Sequence, residues 1–258
     1  MNLSCQSEAL IKLEQFAQAD RHSVLIEGPD GSGKTYLAAS YSKMLGIEDL
    51  VSIDSNVSDL RTMLDNCYNT QNKLVVCIEG LDDGQLAASY VILKFLEEPQ
   101  ANVYIVVTCS NIYRIPDTII SRSVVATISH PTLEELSKYA EVKYADKSSI
   151  FDTSIKNSLM SFNDVDVAYK LTSEQLQYYN EISNLSRSDT VSNLSWKLGH
   201  YPNNEESNLK FVFRSILSHT SNVELRKLCI STLRDIESKR MGTHAVLAKF
   251  AFDYKYGV

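Results

Sequence analysis

The 258-residue chain reads as an α/β protein: a parallel sheet with helices on both faces, followed by two regions built from helices alone. Three observations lead there. Apolar, β-branched runs alternate with helical stretches between residues 23 and 130, and parallel strands need such crossovers to return to the same end of the sheet. The runs are continuously apolar, as in Leu74–Ile78 (LVVCI), which suits strands covered on both faces. After His130–Pro131 the long strand-like runs stop. The expected domains are 1–130 for the sheet, 131–182 for a small helical region and 183–258 for a helical bundle.

The elements follow in order. The N-terminus, MNLSCQSEALIKLEQ, places apolar residues at helical spacing and lacks a basic stretch ahead of an apolar one, so it is not expected to be a signal peptide. Ser23–Glu27 (SVLIE) is the first strand; a Gly-rich turn and a helix over Lys34–Leu45 follow. Next come a strand at Leu50–Ile53, a helix over Ser58–Asn66 and the strand Leu74–Ile78. Gln85–Leu96 repeats apolar residues at Leu86, Tyr90, Leu93 and Leu96, and Pro99 closes that helix. Val103–Thr108 and Val124–Ile128 complete the strands. Thr132–Tyr144 is a helix opened by the capping box Thr132-x-x-Glu135. Residues 150–182 suggest two or three further helices, the polar stretch Asn184–Asn193 a boundary, and Asn208–Tyr256 three more helices.

Charge and cysteine usage narrow the function. The net charge of −7 lies wholly in residues 1–130, which hold 9 basic and 16 acidic residues; the remainder holds 16 of each. A protein gripping nucleic acid alone through a broad basic face should look different, so any DNA contact is expected to be local or shared with other subunits. No run approaches 18 uninterrupted apolar residues, which argues against a membrane span. Five cysteines without close ligand spacing point to free thiols in a reducing compartment, and cytoplasmic residence is expected.

One motif carries chemistry. Gly28-Pro29-Asp30-Gly31-Ser32-Gly33-Lys34-Thr35 satisfies GxxxxGK[ST] between a strand and a helix. The glycines let successive backbone N–H groups face a phosphate, and the following helix N-terminus adds favourable partial charge. Lys34 would neutralise phosphate oxygens and the Thr35 hydroxyl would ligate Mg²⁺, so ATP and Mg²⁺ are the expected cofactors. Asp30 is the awkward member, a carboxylate among the phosphates. Glu79, ending the LVVCI strand, stands where such proteins carry a second Mg²⁺-holding acid, one methylene longer than the usual Asp. The bland alternatives are an ordinary Gly-rich turn and a strand-capping Glu.

With these residues in place, the chain resembles AAA+ clamp-loader subunits, in particular the delta-prime and gamma/tau subunits of bacterial DNA polymerase III. Ile53-Asp54-Ser55-Asn56 with the following Val57–Arg61, Ile92-Leu-Lys-Phe-Leu-Glu97-Glu98-Pro99, and Ile115-Pro-Asp-Thr-Ile-Ile-Ser121-Arg122-Ser123 are similar to ordered segments of that family, and Leu225–Tyr254 looks like its last helices. The resemblance implies an AAA+ core over 1–130, a helical lid over 131–182 and an oligomerising collar over 183–258. It implies that Arg122 acts in trans on ATP held by a neighbour, with Ser110 and Asn111 as polar sensors of the terminal phosphate. Other loader subunits in a ring, a sliding clamp and primer–template DNA are the implied partners; the acidic balance fits DNA contact through a few backbone N–H groups and isolated cations such as Lys94.

Three departures temper an active motor. Gly80 replaces the Glu that polarises the attacking water, leaving Asp82 or Asp83 as substitutes. In Asn163-Asp164-Val165-Asp166-Val167-Ala168, Asp166 replaces the lid arginine, reversing its charge. About 38 residues separate Thr35 from the third strand with no cysteine cluster, so the zinc module of cellular subunits is absent. The reading is a delta-prime-like subunit that binds ATP, donates Arg122 and hydrolyses poorly. The alternatives are the DNA-stimulated motor of a minimal loader, an unrelated P-loop kinase whose lid segment 131–170 lacks any arginine, and a scaffold with a relic loop.

Overall fold

The computed structural model describes residues 4–144, 159–170, 210 and 212–256, with 215, 218, 219, 221, 239 and 240 excepted. The chain divides into two compact units, 1–132 and 133–258. The expected boundary at 182/183 lies outside the described residues.

The first unit is a five-stranded parallel sheet in the order β2-β3-β4-β1-β5. Its strands are β1 (Ser23–Glu27), β2 (Leu50–Asp54), β3 (Leu74–Glu79), β4 (Val103–Cys109) and β5 (Val124–Thr127). The helices are α1 (Ser4–Gln18), α2 (Lys34–Met44), α3 (Val57–Cys67), α4 (Leu86–Glu97) and the single turn α5 (Asp117–Ile120).

Side-chain alternation sorts the apolar runs into two cores. Val24, Ile26, Val75, Cys77, Tyr104 and Val106 point to the face covered by Leu13 of α1 and by Leu37 and Tyr41 of α2. Leu25, Val76, Ile78, Ile105 and Val107 point to the opposite face, against Leu60 and Leu64 of α3 and Ile92 and Phe95 of α4. All seven residues of β4 are buried, and this double burial removes the polar–apolar alternation of a half-exposed strand. Local chemistry fixes the helix starts: the Asn56 side chain caps α3 by accepting from Ser58 N at 3.0 Å.

In the second unit the described helices are α6 (Leu133–Lys143), α7 (Phe162–Lys170), α8 (Val223–Glu237) and α9 (Thr243–Tyr256), with further helical residues between 210 and 217. Tyr144 stacks on Tyr169 at 4.2 Å, and Tyr139 packs against Phe162. Arg214 pairs with the buried Asp164 at 3.1 Å. Helices α8 and α9 bury Cys229, Ile236, Leu247 and Phe250, and the Asn222 side chain caps α8. The other helices expected over 150–182, and the Asn184–Asn193 boundary, lie outside the described residues.

Candidate functional site

The sheet order brings the C-terminal ends of β3, β4 and β1 side by side, where open parallel sheets bind their ligands. The glycine-rich loop leaves β1 and enters α2 there. Gly31 and Gly33 adopt positive φ of 69° and 94°, a region that costs a side chain dearly. A Cβ at Gly33 would also run into Gln6 Nε2, the tip of a side chain. Gln6, buried on α1, donates to Ser32 O at 2.7 Å and braces the loop from behind. The Gln6 Oε1 and Ser32 Oγ atoms are buried without a hydrogen-bond partner.

Lys34 is mostly buried, and its ammonium donates to Gly28 O (2.8 Å), Pro29 O (3.2 Å) and Ser110 Oγ (3.0 Å). Thr35 Oγ1 donates to Glu79 Oε1 at 3.2 Å. Two expected Mg²⁺ ligands, 44 residues apart in sequence, are therefore neighbours. A hydroxyl and a carboxylate are hard oxygen donors of the kind Mg²⁺ accepts, with phosphates and waters completing its shell. Among the described residues no group of three or more His, Cys, Asp or Glu is placed to hold a metal by itself.

Ser110 joins this cluster and Asn111 does not. Ser110 Oγ contacts both Lys34 and Asp30. The Asn111 side chain instead accepts from Tyr113 N at 3.0 Å, capping the short 3₁₀ turn Ile112–Arg114. Capping is a common use for Asn at a turn entrance, and here it occupies Oδ1.

The acidic residues after β3 have settled roles. Gly80 has φ 62°, and its N–H donates to Thr108 Oγ1 at 3.2 Å. Asp82 Oδ2 accepts from Ser110 N (3.1 Å) and Asn111 N (2.9 Å), while Oδ1 is buried without a partner. Asp82 thus ties the end of β4 to the turn after β3, and Asp83 lies 3.6 Å from Arg114.

Arg122 follows α5, with Nη1 donating to Thr118 O and Nη2 to Glu97 Oε1, both at 3.0 Å. The guanidinium is held by its own chain, yet its side chain keeps 38% exposure. The sequence reading missed this partner, although Glu97 and Arg122 stand in two of the segments that carry the resemblance. Ser123 Oγ lies 2.7 Å from Ser23 Oγ, fastening this corner to β1. In the second unit Asp166 is fully engaged: it accepts from Lys143 Nζ (2.8 Å), Tyr139 OH (3.0 Å) and Tyr144 OH (2.9 Å). Burial pulls the Lys143 pKa down, but the hydrogen bonds it donates to Asp166 and Tyr139 outweigh this and hold the ammonium charged well above the ordinary lysine range. The bare negative charge expected at Asp166 is therefore neutralised locally. Lys94 of α4 lines a groove with Arg61, Tyr68 and Tyr90, away from the loop.

Residues 48–132, from β2 through β5, match the family model described as "DNA polymerase III, delta subunit". That stretch, about a third of the chain, is similar to the family and begins after the glycine-rich loop. Among curated proteins, the DNA polymerase III gamma subunits of two Buchnera aphidicola strains are similar to this chain. The subunit from subsp. Schizaphis graminum is 27% identical, covering 39% of this chain and 36% of its own length. That from subsp. Acyrthosiphon pisum is 26% identical, covering 47% and 43%. The chain thus spans less than half the length of these relatives. A crystal structure of a DNA polymerase III gamma subunit-related protein from Thermotoga maritima shares the fold at TM-score 0.58 and 19% identity, over 96% of this chain and 98% of that one. The Thermotoga maritima RuvB Holliday junction branch migration motor shares it at TM-score 0.52 and 14% identity, over 96% and 82%. Among the described residues no helix is long and apolar enough to cross a membrane.

Proposed function

We propose that this chain is a clamp-loader subunit that binds ATP with Mg²⁺ and helps place a sliding clamp on primed DNA during replication. The observation that carries the reading is the convergence of Lys34, Thr35, Glu79 and Ser110 at one end of the sheet. The backbone N–H groups of the loop and Lys34 would hold the phosphates, and Thr35 and Glu79 would hold the cation, which when bound screens the phosphate charge. Residues 131–182 serve as lid and 183–258 as the collar that joins neighbouring subunits in a ring. Arg122 is the residue offered to a neighbour's triphosphate, a fixed-charge bidentate donor.

The chain's own hydrolysis is impaired in this reading. Gly80 has no side chain to orient water, and Asp82, the nearest substitute, already spends Oδ2 on two backbone N–H groups. Asp166, committed to Lys143 and two tyrosines, offers no cation to a γ-phosphate. These features favour a delta-prime-like role. The intact Lys34–Thr35–Glu79 set supports the second reading, an active motor subunit.

Lys34→Ala tests both. Removing a charge-assisted donor to phosphate is expected to weaken ATP binding by about tenfold or more, measured by titration of the full chain. In the assembly with partner subunits, clamp and primed DNA, turnover that survives Lys34→Ala supports the delta-prime-like role. Turnover that disappears supports the motor, and undiminished ATP binding overturns both.

A further inference from the structure

A phosphate-binding loop does not call for a carboxylate, yet Asp30 sits in the middle of this one. Asp30 Oδ1 accepts from Ser110 Oγ at 2.6 Å and lies 3.6 Å from Lys34 Nζ. Ser110 Oγ also accepts from Lys34 Nζ at 3.0 Å, so the three groups close a triangle. An ammonium has three protons to give, and those of Lys34 are taken by Gly28 O, Pro29 O and Ser110 Oγ, with the Asp30 carboxylate balancing the charge. Carboxylate and phosphate oxygens are alike as recognition targets: both are anionic acceptors that draw short hydrogen bonds from N–H and O–H donors.

We propose that Asp30 is a built-in competitor for the nucleotide: its carboxylate holds the cation and the hydroxyl that the outer phosphates need, and it must be displaced for them to bind. The proposal rests on the loop being the nucleotide site. Asp30 is 67% exposed, so it can swing into solvent without disturbing the core. The cost is one short hydrogen bond and one ion pair, plus repulsion of the incoming phosphates, screened by water and salt. Asp30 thereby sets a threshold on nucleotide affinity and makes that affinity depend on the number of phosphate charges.

The test compares the full chain with Asp30→Asn, which keeps shape and hydrogen bonding but removes the charge, and with Asp30→Ala. Affinities for ATP, ADP and adenosine are measured by equilibrium titration at low and high salt, and thermal melting checks the fold. Both variants are expected to bind ATP more tightly, by roughly tenfold at low salt, with a smaller gain for ADP, none for adenosine, and shrinkage of the gain at high salt. Unchanged or weaker ATP binding in both variants, or an equal gain for adenosine, overturns the competitor. If the unaltered chain binds ATP, such a result leaves the nucleotide-site reading standing. If neither the unaltered chain nor the variants bind ATP, that reading falls together with the competitor.

Discussion

Arg122 and Glu97 are joined by a 3.0 Å charge-assisted hydrogen bond between the turn after α5 and the last residue of α4. Both ends of the guanidinium are anchored, one on Glu97 and one on the Thr118 carbonyl, so it is held in one orientation at the surface. Arg122→Ala is expected to leave this chain's ATP affinity unchanged and to slow turnover at a neighbouring subunit by roughly 10³-fold or more. Steady-state hydrolysis by an assembly carrying the variant only in this subunit checks it. Unaltered turnover there removes the trans role.

Gly33 is expected to tolerate no side chain. Gly33→Ala meets Gln6 Nε2 and also forces a Cβ into a φ of 94°, a backbone cost of about 1–2 kcal/mol. Gln6→Ala in the same chain relieves the contact but not the backbone strain. The double variant should therefore recover only part of the stability lost, relative to Gln6→Ala alone, in denaturant titrations.

The second unit depends on Asp164. Its side chain is 4% exposed and pairs with Arg214 across 50 residues of sequence. Arg214→Ala leaves a buried carboxylate without its cation, at a cost of about 3–5 kcal/mol. Arg214→Ala combined with Asp164→Asn should be less destabilised than Arg214→Ala alone. Calorimetry on the three chains checks the order.

The five cysteines form no disulfide, and all are buried. Burial pushes the thiols of Cys77, Cys109 and Cys229 up to about 12 from an ordinary 9.0, and the thiolate is the reactive form. At pH 8 the folded chain should resist alkylation at these three positions and react fully once denatured. The same shift fixes a sign for stability. Between pH 9 and about 12 the folded chain keeps protons that the unfolded chain has lost, so the thiols' contribution is complete below pH 9 and declines as pH rises through that window. Thermal melting from pH 8 to 11 checks the direction.

What the sequence determined by itself is local or periodic. Continuous apolar runs mark β1, β3 and β4 because strands covered on both faces have no polar side to show. The GxxxxGK[ST] pattern marks the loop because its glycines and its lysine answer to backbone geometry and charge within eight residues. Tertiary structure decided where polar side chains spend their hydrogen bonds. Thr35 meets Glu79, Arg122 turns to Glu97, Asp82 ties down the end of β4 and Asp166 gathers Lys143 with two tyrosines. No spacing rule foretells such pairings, because a side-chain donor takes whichever acceptor the packed backbone brings within about 3 Å, and that neighbour comes from a distant part of the chain.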